Sequence, residues 1–202
     1  MPGTAEVLLA SNRGPVSFRP SGDAPDAPLE VTRGSGGLVS GLTTAARGHD
    51  ATWVAAALSD ADRRAAREAP RGCVDQAGHD TGGIAVRLLD IDPVVFDRAY
   101  NQVANRTLWF VNHLLYATPL SPSFDHRFGR EWQAYETYNE LFAHALAEEA
   151  AEGAKVLVQD YHLLLAPQML RALRPDLHIG HFTHTRWATP YYFAMLPARV
   201  AM

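Results

Sequence analysis

The stretch that decides the fold runs from Val156 to Trp187 and reads VLVQDYHLLLAPQMLRALRPDLHIGHFTHTRW. Two short apolar runs, each followed by polar residues, flank a segment with helical spacing, which is the pattern of a β-α-β unit. Because the carboxyl ends of parallel strands meet at the edge where open α/β sheets bind ligands, we expect the polar side chains after both runs to share one rim. These side chains are Asp160, His162, His181 and His184.

Composition points to one compact domain of an ordinary globular protein. The chain has 202 residues, of which 47% are hydrophobic, enough for a sizeable core. Its formal net charge of −4 gives no electrostatic argument for binding nucleic acid or an anionic membrane. Cys73 is the single cysteine, so no intrachain disulfide can form. No signal peptide or membrane-spanning apolar window is found, and we predict a cytoplasmic protein.

Upstream of the opening stretch, predicted strands alternate with predicted helices. The strands are Glu6–Ala10, Ala51–Leu58 and Gly83–Leu89. The segment Phe18–Leu29 is rich in Pro, Asp, Ser and Gly, and it is either a hairpin-like excursion or a mobile loop. The glycine-rich turn at Arg33–Gly37 opens into a helix, and the free N–H groups of such a helix start suit a phosphate.

Capping residues mark the remaining predicted helices. The first follows Ser59 and ends before Pro70, and the second runs from the Asp92-Pro93 cap towards Asn105. The third spans Arg130 to Ala151 with Gly153 as terminator, the fourth spans Leu164 to Leu173, and the last begins at Thr189-Pro190. The alternation predicts an α/β fold, a parallel sheet with helices on both faces. We find no internal repeat and no linker, so one domain over residues 1–202 is expected.

Several short motifs occur in one order along the chain. They are Ser11-Asn12-Arg13, Gly36-Gly37-Leu38, Tyr100-Asn101-Gln102 with Asn105 and Leu108-Trp109, Trp132-x-x-Tyr135 with Asn139, Asp160-Tyr161-His162-Leu163, His184-Thr185 and Leu196-Pro197. In this order the chain resembles the trehalose-6-phosphate synthases, the retaining glycosyltransferases of family 20. The two motifs at Asp160 and His184 are specific in register, whereas Gly-Gly-Leu alone is weak.

The resemblance implies the GT-B architecture, in which two Rossmann-like domains enclose the active site. The chain is similar to the N-terminal domain, which mainly holds glucose-6-phosphate; the C-terminal domain of the family mainly binds the nucleotide sugar. We therefore expect transfer of glucose from UDP-glucose or GDP-glucose to glucose-6-phosphate by the parent protein, with this chain alone inactive. The family needs no cofactor, and no spacing of histidines and aspartates here matches a metal-ligand set.

For the acceptor, the resemblance implies four contact residues. Arg13 matches the arginine that grips the acceptor phosphate, for which a planar guanidinium is suited. Tyr100 and Trp109 match residues that contact the phosphate and pack beside the sugar. Asp160 matches the aspartate at the acceptor hydroxyls, and we place it at the catalytic centre. The alternative is that these side chains only fill the core or cap a helix, and then their roles are purely structural.

For the donor, the resemblance implies a contact from His184 and a backbone approach at Gly36 and Gly37. His184 matches the histidine beside the donor sugar, at the reacting centre, so it is the second catalytic candidate. The two glycines match the loop that approaches the donor phosphates. By contrast, His162 and His181 are expected to be structural.

Two departures leave the acceptor open. Ala56 stands where the family commonly has a second tryptophan, and Arg186 stands where it usually has proline. The family also contains pseudo-glycosyltransferases similar to validoxylamine synthase, which take cyclitol phosphates, and members that take glycerol phosphate. A further alternative is a truncated, non-catalytic domain that binds a sugar phosphate or regulates a partner. Apolar surface exposed by truncation would favour a homo-oligomer.

Overall fold

A computed structural model of the protein describes residues 3–24, 26–46, 48–115 and 124–197. Its main feature is a sheet of five parallel strands. In spatial order these are β5 (Ala85–Leu89), β4 (Ala51–Ala56), β1 (Ala5–Ser11), β6 (Ala150–Gln159) and β7 (His178–Phe182). Ala10 pairs with Val158, and Gln159 pairs with Phe182, so the carboxyl ends of β1, β6 and β7 lie side by side.

The strand order reverses direction at the centre of the sheet. From β1 the chain moves outward to β4 and β5, and it then returns to the other side of β1 to form β6 and β7. Ligands of open α/β sheets bind in the crevice at such a topological switch point, outside the carboxyl ends of the strands. In this chain the crevice lies between the residues that follow β1 and those that follow β6.

Helices cover both faces of the sheet. One face packs against α1 (Gly37–Ala46), α2 (Asp60–Glu68) and an antiparallel hairpin of β2 (Val16–Pro20) and β3 (Leu29–Arg33). The other packs against α5 (His126–Glu149), α6 (Ala166–Leu173) and a helical stretch formed by α3 (Pro93–Asp97), a π-helical segment (Arg98–Leu108) and α4 (Trp109–Asn112). Short helical turns at Pro70–Gly72 and Tyr161–Leu163 and helix α7 (Pro190–Phe193) complete the described elements.

The central strands are buried on both sides. Along β4, Trp53 and Ala55 pack into the core under α1 and α2, whereas Val54 and Ala56 pack into the core under α5. A strand buried on both faces needs a continuous apolar run, and this is the pattern by which the sequence predicted it. The predicted Rossmann-like α/β class is confirmed.

Several predicted boundaries are also confirmed, but β4 ends at Ala56 instead of Leu58, and β6 begins at Ala150, ahead of the predicted apolar run at Val156. Ser59 caps α2 in a capping box with Asp62, and the Asp92 carboxylate accepts hydrogen bonds from the backbone of α3. Of the two alternatives for Phe18–Leu29, the hairpin is the one found. The third predicted strand begins at Ala85 rather than Gly83, since Gly83 has a φ of +86°.

The predicted bounds of the longest helix were wrong at both ends. Helix α5 begins at His126 because the Asp125 carboxylate caps it, accepting hydrogen bonds from the backbone N–H groups of Arg127 and Phe128. The helix ends at Glu149, and Gly153 lies inside β6 with a φ of +69°. The guanidinium of Arg174 accounts for this end, because it donates to the carbonyls of Ala147, Ala150 and Ala151.

Helix α6 also begins later than predicted, at Ala166 instead of Leu164. The backbone N–H of Leu164 donates to the hydroxyl of Tyr135, and those of Leu165 and Ala166 donate to Asn139 Oδ1. Side chains of α5 thus replace the first helical turn. None of the described helices is long and apolar enough to cross a membrane.

Candidate functional site

Arg13 stands on a rigid backbone at the carboxyl end of β1. The indole N–H of Trp53 donates to Ser11 Oγ at 2.8 Å, and Ser11 Oγ donates to the carbonyl of Arg13 at 2.7 Å. The side chain of Arg13 is exposed, and no ion pair or hydrogen bond holds its guanidinium within the described part of the chain. A fixed base with a free cationic head is suited to an anionic ligand.

A pocket of about 310 Å³ opens beside this arginine. Its lining includes Gly14, Gly34, Ser59 and Asp62. Two other pockets, of about 310 and 370 Å³, lie against β5 around Arg71 and Glu148 and contain none of the predicted site residues.

Asp160 follows β6 on the opposite side of the switch point. Its backbone has φ 67° and ψ 169°, a conformation that residues other than glycine rarely adopt and that indicates backbone strain. The conformation is held by its N–H, which donates to the carbonyl of Phe182 at 2.7 Å, and by His181, whose Nε2 lies 3.0 Å from its carbonyl. His181 thus contacts the backbone of a candidate site residue, in keeping with the structural role predicted for it.

Behind Asp160 three aromatic rings form a stack. The ring of His162 lies between those of Tyr161 and Tyr100, with centroids 4.3 and 5.2 Å away. Burial lowers the pKa of His162 to about 4, against the opposite effect of the Asp160 carboxylate. Its Nδ1 is 4.0 Å from Asp160 Oδ2, beyond hydrogen-bond length. At neutral pH His162 is an uncharged stacking partner, consistent with the structural role predicted for it.

The π-helical segment presents Tyr100 and Asn105 to this stack. These residues are five apart, the repeat of a π-helix, and Asn105 Oδ1 accepts a hydrogen bond of 3.1 Å from the hydroxyl of Tyr161. Trp109 directly follows the segment, and its backbone N–H donates to the carbonyl of Ala104. The half-buried Trp109 ring stacks on His113 at 4.0 Å. The predicted residues Tyr100 and Trp109 thus lie on one helical stretch beside the rim.

Helix α5 holds the turn that carries Asp160 and His162. The hydroxyl of Tyr135 donates to the carbonyl of Tyr161 at 2.7 Å, and Asn139 Nδ2 donates to the carbonyls of Tyr135 and His162. The sequence hypothesis gave these two side chains no role in the site. The available signal was a polar Asn139 on the apolar stripe of a helix, which in a core implies a dedicated hydrogen-bond partner.

His184 lies on the same rim, two residues after β7. Its Nε2 is 3.2 Å from the side-chain amide of Gln159, the last residue of β6. The loop that follows is tied to α4, since the N–H of Ala188 donates to the buried Asn112 Oδ1 at 3.3 Å. The sequence hypothesis overlooked Gln159, although its place between an apolar run and Asp160 was visible.

The glycine-rich turn joins the site through the backbone. The N–H of Gly34 donates to the carbonyl of Pro15 at 2.7 Å, which places the start of α1 beside the turn that follows β1. A Cβ atom at Gly36 or Gly37 would meet nothing within 4 Å. The helix start is therefore open to a ligand, as an anion-binding helix N-terminus requires.

The two departures from the family pattern have different surroundings. Ala56 is 3% exposed and packs into the core under α5, and it also lines the pocket beside Arg13. Arg186 is exposed on the loop after β7. Among the described residues no group of three or more histidine, cysteine, aspartate or glutamate side chains could hold a metal ion.

The sequence profile of glycosyltransferase family 20 matches residues 5–202. The chain belongs to this family. It is 35% identical over 198 residues to the trehalose-6-phosphate synthase of Mycolicibacterium gilvum, covering 96% of the chain and 36% of that protein. The chain thus spans about 36% of the length of the curated relatives it matches.

Solved structures of other proteins share the fold. The UDP-forming alpha,alpha-trehalose-phosphate synthase of Burkholderia vietnamiensis superposes with a TM-score of 0.68 at 24% identity, over 96% of this chain and 36% of that one. The N-terminal domain of Candida albicans trehalose-6-phosphate phosphatase gives 0.71 at 21% identity, over 98% and 37%. The predicted fold, a Rossmann-like part of a GT-B glycosyltransferase, is confirmed.

Proposed function

We propose that this family 20 chain is the acceptor-binding domain of a trehalose-6-phosphate synthase, which transfers glucose from UDP-glucose or GDP-glucose to glucose-6-phosphate. The observation that carries the proposal is the pair of side chains that flank the switch point. Arg13 offers a free guanidinium after β1, and Asp160 offers a carboxylate on a strained turn after β6. A cation for a phosphate and an anion for hydroxyls are the groups that a sugar phosphate needs.

Around this pair, the remaining candidates take the roles that the family implies. Tyr100 and Trp109 contact the acceptor from the helical stretch beside the rim. His184 contacts the donor sugar, and the start of α1 at Gly36 and Gly37 approaches the donor phosphates. In the proposed mechanism the acceptor hydroxyl attacks on the face that the nucleotide leaves, and the leaving phosphate helps to take the proton. The protein contributes positioning and charge stabilisation, with Asp160 and His184 nearest the reacting atoms.

We further propose that residues 1–202 act as one domain that needs a nucleotide-sugar-binding domain for turnover. The support is the length of the relatives, because this chain spans only about 36% of each matched protein. The purified chain is expected to form no trehalose-6-phosphate from glucose-6-phosphate and UDP-glucose. Product formation by the chain alone would refute this division of labour.

A second candidate is a sugar-phosphate-binding or regulatory domain without transfer activity. It is favoured by the likeness in fold to the N-terminal domain of a protein named as a trehalose-6-phosphate phosphatase. Because Ala56 and Arg186 differ from the residues usual in the family, a third candidate is a pseudo-glycosyltransferase that takes a cyclitol phosphate.

Calorimetric titration separates these functions. We expect glucose-6-phosphate to bind the chain, and Arg13→Ala to weaken that binding by roughly 10- to 100-fold, because a charge-assisted contact of about 1.5–3 kcal/mol is lost. Arg19→Ala is the matched control, since that exposed arginine pairs with Glu30 on the hairpin. Absence of binding, or preference for a cyclitol phosphate over glucose-6-phosphate, would contradict the acceptor assignment.

For assembly, we propose that the chain self-associates through apolar side chains near β7. Phe182, Trp187 and Tyr191 are 53, 54 and 90% exposed. Light scattering over a range of concentrations should show association that Trp187→Ser weakens. A mass equal to the monomer at every concentration would exclude it.

A further inference from the structure

His184 is held at the rim by a buried amide. Gln159 is 2% exposed, and its side chain ends 3.2 Å from His184 Nε2. The two residues stand on neighbouring strands, at the end of β6 and just after β7. Since an imidazole nitrogen can donate or accept, the amide atom that faces it decides which nitrogen of His184 carries the proton.

Two orientations of the amide are compatible with this contact, because its oxygen and nitrogen have nearly the same shape. In the first, Gln159 Oε1 accepts from a protonated His184 Nε2. Gln159 Nε2 is then fully buried with no acceptor in the described part of the chain. In the second, the amide is turned over, and Gln159 Nε2 donates to an unprotonated His184 Nε2.

The second orientation has the smaller defect. A buried amide N–H₂ group without an acceptor leaves two donors unpaired, and orphaned N–H groups are rare in protein interiors. After the turn one N–H is paired and one stays unpaired, and the second unpaired N–H is exchanged for a carbonyl oxygen, which interiors tolerate better. The hydrogen-bond balance therefore favours a proton on His184 Nδ1.

We infer that Gln159 is a positioning residue that fixes His184 in the Nδ1–H tautomer, so that His184 presents a hydrogen-bond donor at the rim. The ligand atom it meets is an acceptor, either a hydroxyl oxygen of a sugar or an oxygen of a phosphate. Only this last step rests on the proposed function. The tautomer itself is a property of the ligand-free chain.

The tautomer can be measured directly by long-range ¹H–¹⁵N correlation of the histidine rings in the ¹⁵N-labelled chain. The pH is set about two units above the ordinary histidine pKa, so that the rings are neutral. The His184 signals are those lost in His184→Gln. Two other histidines are internal references: His181 Nε2 and His113 Nδ1 each face a backbone carbonyl, at 3.0 and 2.6 Å, and must carry a proton there.

We expect His184 to match the His113 pattern, with the proton on Nδ1. Gln159→Glu should convert it to the His181 pattern, since a carboxylate only accepts, and Gln159→Met should remove the preference for Nδ1. An Nε2–H pattern in the unaltered chain overturns the inference. So does an Nδ1–H pattern that survives both substitutions, because Gln159 would then not set it. These spectra need no ligand, so they are independent of whether glucose-6-phosphate binds in the calorimetric test.

Discussion

The hydroxyl of Tyr138 donates a hydrogen bond of 2.6 Å to Asn12 Oδ1. The two residues are 126 positions apart, and both are buried. This bond joins α5 to the turn that presents Arg13, while the carbonyl of Asn12 accepts from the N–H of Ala56 on β4. Helix α5 therefore holds the turns after both β1 and β6, and it fixes the distance between Arg13 and Asp160.

Loss of this bond should destabilise the fold. Tyr138→Phe leaves Asn12 Oδ1 buried without its partner, and we expect the free energy of unfolding to fall by roughly 1–3 kcal/mol. Urea denaturation monitored by circular dichroism measures the change. Tyr191→Phe removes the same atom from a ring that is 90% exposed, and it should have no measurable effect. Equal midpoints for the two variants would show that the bond is unimportant.

Strain at Asp160 should be visible in a pair of substitutions. Asp160→Ala removes the carboxylate but keeps a Cβ atom at φ 67°, whereas Asp160→Gly also relieves the backbone. The glycine variant is expected to be more stable than the alanine variant by roughly 1 kcal/mol or more, and both should lose affinity for glucose-6-phosphate. Thermal denaturation and calorimetry test the two statements separately. An alanine variant as stable as the glycine variant would argue against strain.

The buried His162 should make stability depend on pH. Its pKa is lowered from 6.5 to about 4, so between these values the unfolded chain binds the proton that the folded chain rejects. Stability is complete above the unfolded pKa and falls by roughly 3 kcal/mol as the pH drops to the folded pKa. His162→Phe retains a ring for stacking on Tyr100 and Tyr161 but cannot titrate. The difference between the unfolding free energies of the unaltered chain and this variant, plotted against pH, should show this loss. Identical pH dependence of the two proteins would refute the lowered pKa of His162 as its cause.

Two glycines distinguish a steric requirement from a conformational one. Gly72 has a φ of +80°, and a Cβ there would fall well inside van der Waals contact with the carbonyl of Leu88. Gly78 has a φ of +85° but open space around its Cα. We expect Gly78→Ala to cost about 1 kcal/mol and Gly72→Ala at least twice as much. Denaturant midpoints compare them, and similar costs would mean that the backbone of β5 yields.

The sequence predicts those parts of the fold that local chemistry specifies. The apolar runs that become β1, β4 and β6, and the caps at Ser59 and Asp92, carry their signal within a few residues. The ends of α5 and the start of α6 depend on distant side chains. Arg174 takes the last carbonyls of α5, and Asn139 replaces the first turn of α6, and neither contact has a local signature.

The same division holds for the candidate site. The types and order of Arg13, Asp160 and His184 were readable, because polar residues after buried strands of a parallel sheet must share a rim. The strained backbone of Asp160 and the amide contact of Gln159 are consequences of how β6 and β7 align. Alignment of two strands is a tertiary property, and a single sequence holds no direct record of it.

The π-helical segment makes chain length a variable of ligand recognition. Deletion of one residue between Tyr100 and Trp109 would rotate everything after the cut by about 100° around the helix axis. Trp109 would then turn away from the rim, although its side chain would still be present. A change of a single codon in this segment would therefore abolish the proposed acceptor contact of Trp109 without replacing Trp109 itself.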